Sequence, residues 1–170
     1  MTSVKVNNSK VEKCRLLFDD GKRELFVTSV RNNNTIEALV RPGRKFKFGK
    51  KVELVRGIYA EVTHVADDGL RTMMLSCDLD DPRLTPFKHT PFPPYIAQNE
   101  SLADEYQTVY AKDLGSKAAT TAGLPFTDEL LHFLKTQGIG REEVTLHVGL
   151  GTFAPVKTED ILDHEMHSEW

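Results

Sequence analysis

Three of the chain's six histidines, seven carboxylates and a glycine turn gather between Arg141 and Trp170. A β-rich run, Val144-Thr145-Leu146-His147-Val148, leads into Gly149-Leu150-Gly151-Thr152-Phe153. A segment expected to form a short helix then carries His164, His167 and Glu169. Glycines let backbone amides approach a ligand closely, and imidazoles and carboxylates can exchange protons near neutral pH. By type, His147 suits a hydrogen-bond partner or general acid/base, and Glu169 a base or a carboxylate that binds hydroxyls. Spacing alone does not name a reaction, and a structural role for any single histidine stays open.

Two familiar readings fail on spacing and context. Gly149-Leu150-Gly151-Thr152-Phe153-Ala154 matches the G-x-G-x-x-A dinucleotide fingerprint in form. However, Pro155 follows at once, the next helix starts no earlier than Thr158, and no complete βαβ unit surrounds it. His164-Glu165-Met166-His167 lacks the i, i+4 pair of the zinc proteases, so no metal is expected. A metal hydrolase is therefore disfavoured.

Two further stretches could contact a ligand. Gly115-Ser116 opens a run of small residues through Thr121 to Gly123, suited to close backbone approach or to a tight packing loop; both remain open. Between Arg41 and Lys51, six of eleven residues are basic: Arg41, Arg44, Lys45, Lys47, Lys50 and Lys51. Phe46 and Phe48 are interleaved. The loop reads as a phosphate-contacting surface with an aromatic available for stacking, or as a solvated hairpin whose phenylalanines plug a barrel. Charge favours the first: residues 1–60 carry net +8 and residues 61–170 net −11.

The elements that must position these residues differ between the two halves. Residues 11–18, 23–30, 35–41, 51–56, 59–65 and 70–76 are rich in β-branched or aromatic side chains, with turn signals such as Asp20-Gly21 and Pro42-Gly43 between them. Alternation at Ile36/Ala38/Val40 and Val52/Leu54 indicates a half-buried antiparallel sheet. Closure into a six-stranded barrel would remove the exposed edges. Residues 78–98 contain five of the eight prolines and read as an extended or turning connector. Beyond it, helices are expected over residues 101–110, capped by Ser101, and from a Thr127 cap to Gln137, stopped by Gly138. A strand over 143–148 follows. The fold class is thus mixed α+β: a small six-stranded antiparallel β-barrel (11–90), a remnant of an α/β domain (1–10) and part of that domain (91–170).

With 39% apolar and 28% charged residues and no long apolar run, the composition is that of a soluble globular protein. Neither a signal peptide nor a membrane span is expected. Two cysteines, Cys14 and Cys77, read as reduced buried thiols, pointing to the cytoplasm.

The residues also carry a resemblance. Leu146-His147-Val148-Gly149-Leu150-Gly151-Thr152-Phe153-x-Pro155-Val156, followed by His164-x-Met166-His167-Ser168-Glu169-Trp170, resembles the S-adenosylmethionine:tRNA ribosyltransferase-isomerases of queuosine biosynthesis. So do Pro93-Pro94-Tyr95-Ile96, Tyr106-Gln107-Thr108-Val109-Tyr110-Ala111-Lys112, Glu37-Ala38-Leu39-Val40-Arg41-Pro42-Gly43 and Val6-Asn7-Asn8-Ser9-Lys10-Val11. Gly115-Ser116 leading to Thr121-Ala122-Gly123-Leu124-x-Phe126-Thr127 extends the match.

The resemblance implies an α/β domain carrying an inserted β-barrel. It implies S-adenosylmethionine as ribosyl donor and co-substrate, with no metal. The ribosyl group passes, with isomerisation, to the aminomethyl group of a 7-deazaguanine at the tRNA wobble position. The product is epoxyqueuosine, and adenine and methionine are released. His147, His167 and Glu169 would be catalytic, and Gly115, Ser116, Thr121, Gly123, Gly149, Gly151, Thr152 and Phe153 would bind substrate. The basic loop would hold the tRNA backbone, and a monomer is expected. Two departures stand out. Thr120 and Pro125 occupy positions where the family pattern has proline and histidine, so that imidazole's role is absent or carried elsewhere. Family members are also about twice as long, so the chain is expected to be an internal piece with little or no activity alone. A non-catalytic RNA-binding barrel is the alternative.

Overall fold

The computed structural model describes residues 2–153, 158–164 and 166–170. Strands β1 (Ser3–Asn7) and β2 (Ser9–Val11) open the chain. They are followed by β3 (Arg15–Phe18), β4 (Arg23–Asn32), β5 (Thr35–Arg41), β6 (Lys51–Val55), β7 (Ile58–Val65), β8 (Arg71–Leu75) and β9 (Lys88–His89). Then come β10 (Asp113–Ser116), helix α1 (Asp128–Thr136) and β11 (Gly140–Val144). The chain divides into two compact units, residues 13–90 and residues 1–12 with 91–170.

Residues 13–90 form one antiparallel sheet in the order β6-β7-β8-β5-β4-β3-β9. Its core follows the period of two. Ile36 and Ala38, Val52 and Leu54, Ile58, Ala60 and Val62, and Met73 and Leu75 are all buried. Register brings Ile36 and Val62 to Met73 from either side. The six-stranded closed barrel is corrected in two respects. The sheet has seven strands, because the proline-rich connector supplies β9 against β3. No strand pairing joins edge strand β6 to edge strand β9. A side chain instead reaches across. The buried Arg23 of β4 donates to the Glu53 and Leu54 carbonyls of β6 and to the Asp19 carboxylate. That bridge requires a strongly curled sheet, and it answers edge carbonyls that a closing strand would otherwise have met.

The connector turns within its first half. Asp81 accepts from Arg83 N and starts a 3₁₀ turn, Pro82–Phe87, with proline at its head. Proline's fixed φ and missing N–H suit that first position. Buried Leu84 anchors the turn. Of the two thiols, Cys14 is buried and Cys77 is half-buried, and both are free. Burial pushes the Cys14 thiol up to about 12.

The other unit is built on two parallel pairs, β1 with β11 and β2 with β10. The strand expected over residues 11–18 is broken at 12–14, so that β2 and β3 belong to different sheets. The helix expected over 101–110 is absent. Asn99, rather than Ser101, caps a single 3₁₀ turn at Glu100–Leu102. Beyond it Tyr106, Thr108 and Tyr110 are buried alternately. Gln107 lies between them, its carboxamide bonding both N–H and C=O of Val11 at 3.0 and 2.9 Å. Helix α1 forms as expected, with Thr127 accepting from Leu130 N and Gly138 at φ +75° beyond its end. Its apolar face is incompletely covered, Leu130 and Phe133 being exposed. No helix among the described residues is long and apolar enough to cross a membrane.

Candidate active site

The run leading to His147 is fixed mainly by side chains. Strand β11 ends at Val144, earlier than the expected 148, and the side chains of Asn7, the last residue of β1, and Asn8 take over the pairing. Asn7 donates to the Leu146 carbonyl at 2.8 Å and accepts from its N–H at 3.0 Å, imitating a further strand residue. The Thr145 hydroxyl bridges Asn8 Oδ1 and Asp113 Oδ2 at 2.7 and 3.0 Å. On the far side of the histidine, Val148 N donates to Ser116 Oγ at 2.9 Å, and Val148 O accepts from Lys117 N at 2.8 Å. His147 itself exchanges backbone hydrogen bonds with Trp170.

Two glycines admit the imidazoles. Gly115 has φ +145°, a region that side chains avoid, and a Cβ there would lie 3.1 Å from His147 Cε1. The His147 ring therefore lies directly over this glycine. Its Nδ1 is buried with no hydrogen-bond partner among the described residues. A Cβ on Gly151 would fall 2.3 Å from the Cβ of His167, so His167 rests on the turn. His167 Nε2 in turn lies 3.1 Å from Glu169 Oε1, which sets the ring's orientation. Gly149 faces the Trp170 indole at ordinary contact distance.

The expected helix carrying His164, His167 and Glu169 is not formed. A 3₁₀ turn covers Ile161–Asp163, and residues 166–170 run without regular structure. The glycine turn is itself 3₁₀, over Leu150–Phe153. Residues 154–157 of the motif, including Pro155, and Glu165 lie outside the described residues.

In the same unit is a cleft of about 380 Å³, whose lining includes Val148, Thr152 and Phe153 of this stretch but not His147, His167 or Glu169. Three stretches far apart in sequence line it: Pro93, Pro94 and Tyr95; Ala118, Ala119 and Thr121; Val148, Thr152 and Phe153. Thr121, Thr152 and Phe153, three of the residues expected to bind substrate, thus line one cleft. Ser116 faces inward, fully buried, its hydroxyl donating to Ala118 O at 2.8 Å. Gly123 is also buried, beneath Tyr110 and Thr108. Tyr106 also lines the cleft, and neither it nor Lys117 is marked by spacing as a site residue. Lys117 is almost wholly buried and paired with Glu12. Burial pushes its ammonium down to about 8, an effect that the Glu12 carboxylate opposes. The strand-surrogate asparagines left no periodic signal; Lys117 could have been found only as a charge amid small, buried residues.

The basic loop belongs to the sheet unit, residues 13–90. Arg44, Lys45, Lys47, Lys50 and Lys51 are exposed. Arg41 reaches Glu24 at 2.9 Å, and Lys51 Nζ sits 4.9 Å from the centroid of the Tyr59 ring. The two phenylalanines divide: Phe46 is in the core and Phe48 is in solvent.

The parallel strand pairs, the cleft and the imidazole–carboxylate cluster define the class, and a family model places it. The model described as "Queuosine biosynthesis protein" matches residues 2–170, and the chain belongs to that family. Among curated relatives it is similar to the S-adenosylmethionine:tRNA ribosyltransferase-isomerase of Clostridioides difficile, 42% identical over 97% of this chain and 50% of the relative. The protein of that name from Staphylococcus haemolyticus is 47% identical over 88% of this chain and 44% of its own length. A crystal structure of an S-adenosylmethionine tRNA ribosyltransferase from Thermotoga maritima is 26% identical, covering 86% of this chain and 41% of that one, with a TM-score of 0.34. The chain spans about half the length of the curated relatives it matches.

Proposed function

We propose that this chain contributes the cleft of an S-adenosylmethionine:tRNA ribosyltransferase-isomerase. The reaction moves the ribosyl group of S-adenosylmethionine, with isomerisation, onto the aminomethyl group of a 7-deazaguanine at the tRNA wobble position. It yields epoxyqueuosine-tRNA, adenine and methionine. One observation carries the reading: three separated stretches that resemble the family converge on a single cleft. The relatives all bear the name of an enzyme, which leaves the non-catalytic RNA-binding alternative without support.

Residue type and geometry support the following roles. Generating a sulfonium ylide needs a base, and His147 presents a buried Nδ1 that has no partner among the described residues, on a backbone fixed from both sides. The His167–Glu169 pair, resting on Gly151, suits the handling of protons and hydroxyls as the ribose opens and adenine departs. Thr121, Thr152 and Phe153 hold the donor, while Gly115 and Gly151 make room for the His147 and His167 side chains. Arg41, Arg44, Lys45, Lys47, Lys50 and Lys51 meet the tRNA backbone.

The test is transfer of label from ribosyl-labelled S-adenosylmethionine into tRNA bearing the aminomethyl base. It is run with this chain joined to the portions of the Clostridioides difficile relative that it does not span. His147→Ala should lower turnover by about 100-fold or more with tRNA affinity kept. Turnover unchanged by that substitution, or no transfer by the joined protein, would contradict the reading.

A further inference from the structure

Phe48 is the most exposed large apolar side chain in residues 13–90, at 73%. It sits at the corner of a turn built to hold it there. Lys50 N donates to Lys47 O at 3.0 Å, closing Lys47-Phe48-Gly49-Lys50, and Gly49 has the positive φ, +70°, that the third position of a type II turn requires. The turn is tied to β7, because Gly49 N donates to Val62 O at 2.8 Å and Val62 N to Lys50 O at 3.1 Å. Its other flank is anchored by the fully buried Phe46, whose carbonyl accepts from Arg71 Nε at 3.4 Å. An apolar ring is thus displayed on a pinned frame, where turn chemistry ordinarily selects a polar residue. Lys47 and Lys50 flank it, and among the described residues neither they nor Arg44 forms an ion pair.

We infer that Phe48 is a stacking platform for an unpaired RNA base, so that the basic loop grips single-stranded or looped RNA in preference to duplex. This deepens the proposed tRNA surface and rests on it. Cations alone attract any phosphate backbone and carry no preference for unpaired strands. An aromatic face adds one, because a base stacked inside an A-form helix offers no face to a protein ring, whereas a splayed base does. The frame supplies the rest: with the backbone held, only the two side-chain torsions of Phe48 are left to be fixed on binding, so more of the contact is retained as affinity.

The test is fluorescence anisotropy of the full 170-residue chain with a uridine-rich single strand and with a perfectly paired RNA duplex, across a salt series. The unsubstituted chain should favour the single strand. Phe48→Ala should weaken single-strand binding by on the order of 10-fold, leave duplex binding and the salt slope unchanged, and be rescued by Phe48→Trp. Phe48→Leu, apolar but without a π face, should behave as the alanine variant does. Lys47→Ala with Lys50→Ala should weaken both RNAs and lower the salt slope by about 0.7 per lost contact. Phe48→Ala binding single strands as well as the unsubstituted chain, or losing both RNAs equally, overturns the stacking role while the lysine effects leave the tRNA surface standing. If neither RNA binds, or the lysine changes have no effect, the surface itself falls and the stacking role with it.

Discussion

His147 and Lys117 show how single residues in this chain depend on neighbours distant in sequence. His147 can lie where it does only because residue 115 has no side chain. Gly115→Ala would place a Cβ in a forbidden φ region and 3.1 Å from the ring, at a cost of about 1–3 kcal/mol in stability. The expected outcome is a lower urea midpoint and a shifted His147 ring resonance. A near-native midpoint with an unmoved ring would show that the glycine is not required. Lys117 makes a prediction about pH. Its folded value near 8 lies below the ordinary 10.5, so the unfolded chain binds the extra proton between those values. Stability should therefore rise as pH climbs from about 8 to about 10.5. The opposing Glu12 pair makes the full linkage an upper limit. Chemical denaturation at stepped pH reads this rise, and Lys117→Met should remove it. Neither residue's position was legible in sequence, since each depends on contacts from elsewhere in the chain.

Elements were legible where their pattern was local. Ile36/Ala38 and Val52/Leu54 announced the sheet, and Thr127 and Gly138 announced both ends of α1. The errors came where side chains replaced regular pairing. Tyr106, Thr108 and Tyr110 alternate as an extended segment does, and the Ser101 cap signal drew attention away from that alternation. Asn7 and Asn8 prolong β1 through their carboxamides, which no periodicity reveals. The barrel expectation failed for a similar reason. A curled seven-stranded sheet meets its edge carbonyls with one guanidinium, and a strand count cannot anticipate that. Arg23→Met should then cost about 1–3 kcal/mol, since it strands the carbonyls of Glu53 and Leu54. Arg23→Lys should recover little, because one ammonium cannot reproduce the forked donors. Equilibrium urea unfolding measures both, and a loss under about 0.5 kcal/mol for the methionine variant would remove the bridge from the account.

At the scale of the whole molecule, charge and chemistry are kept on different stretches of chain. The net +8 of residues 1–60 includes a loop of exposed cations, while the cleft lies among residues 93–153. Arg44→Ala, Lys45→Ala and Lys47→Ala combined should flatten the salt dependence of tRNA binding while leaving donor binding in the cleft unchanged. On the proposed function, this cleft receives S-adenosylmethionine. The most direct measurement is the amide NMR spectrum of the nitrogen-labelled chain titrated with that compound. Saturable shifts concentrated at Gly115, Ala119, Thr121, His147, Val148 and Thr152, and weakened in Gly115→Ala, are the predicted result. A spectrum unchanged at saturating donor, or shifts confined to residues 13–90, would contradict it.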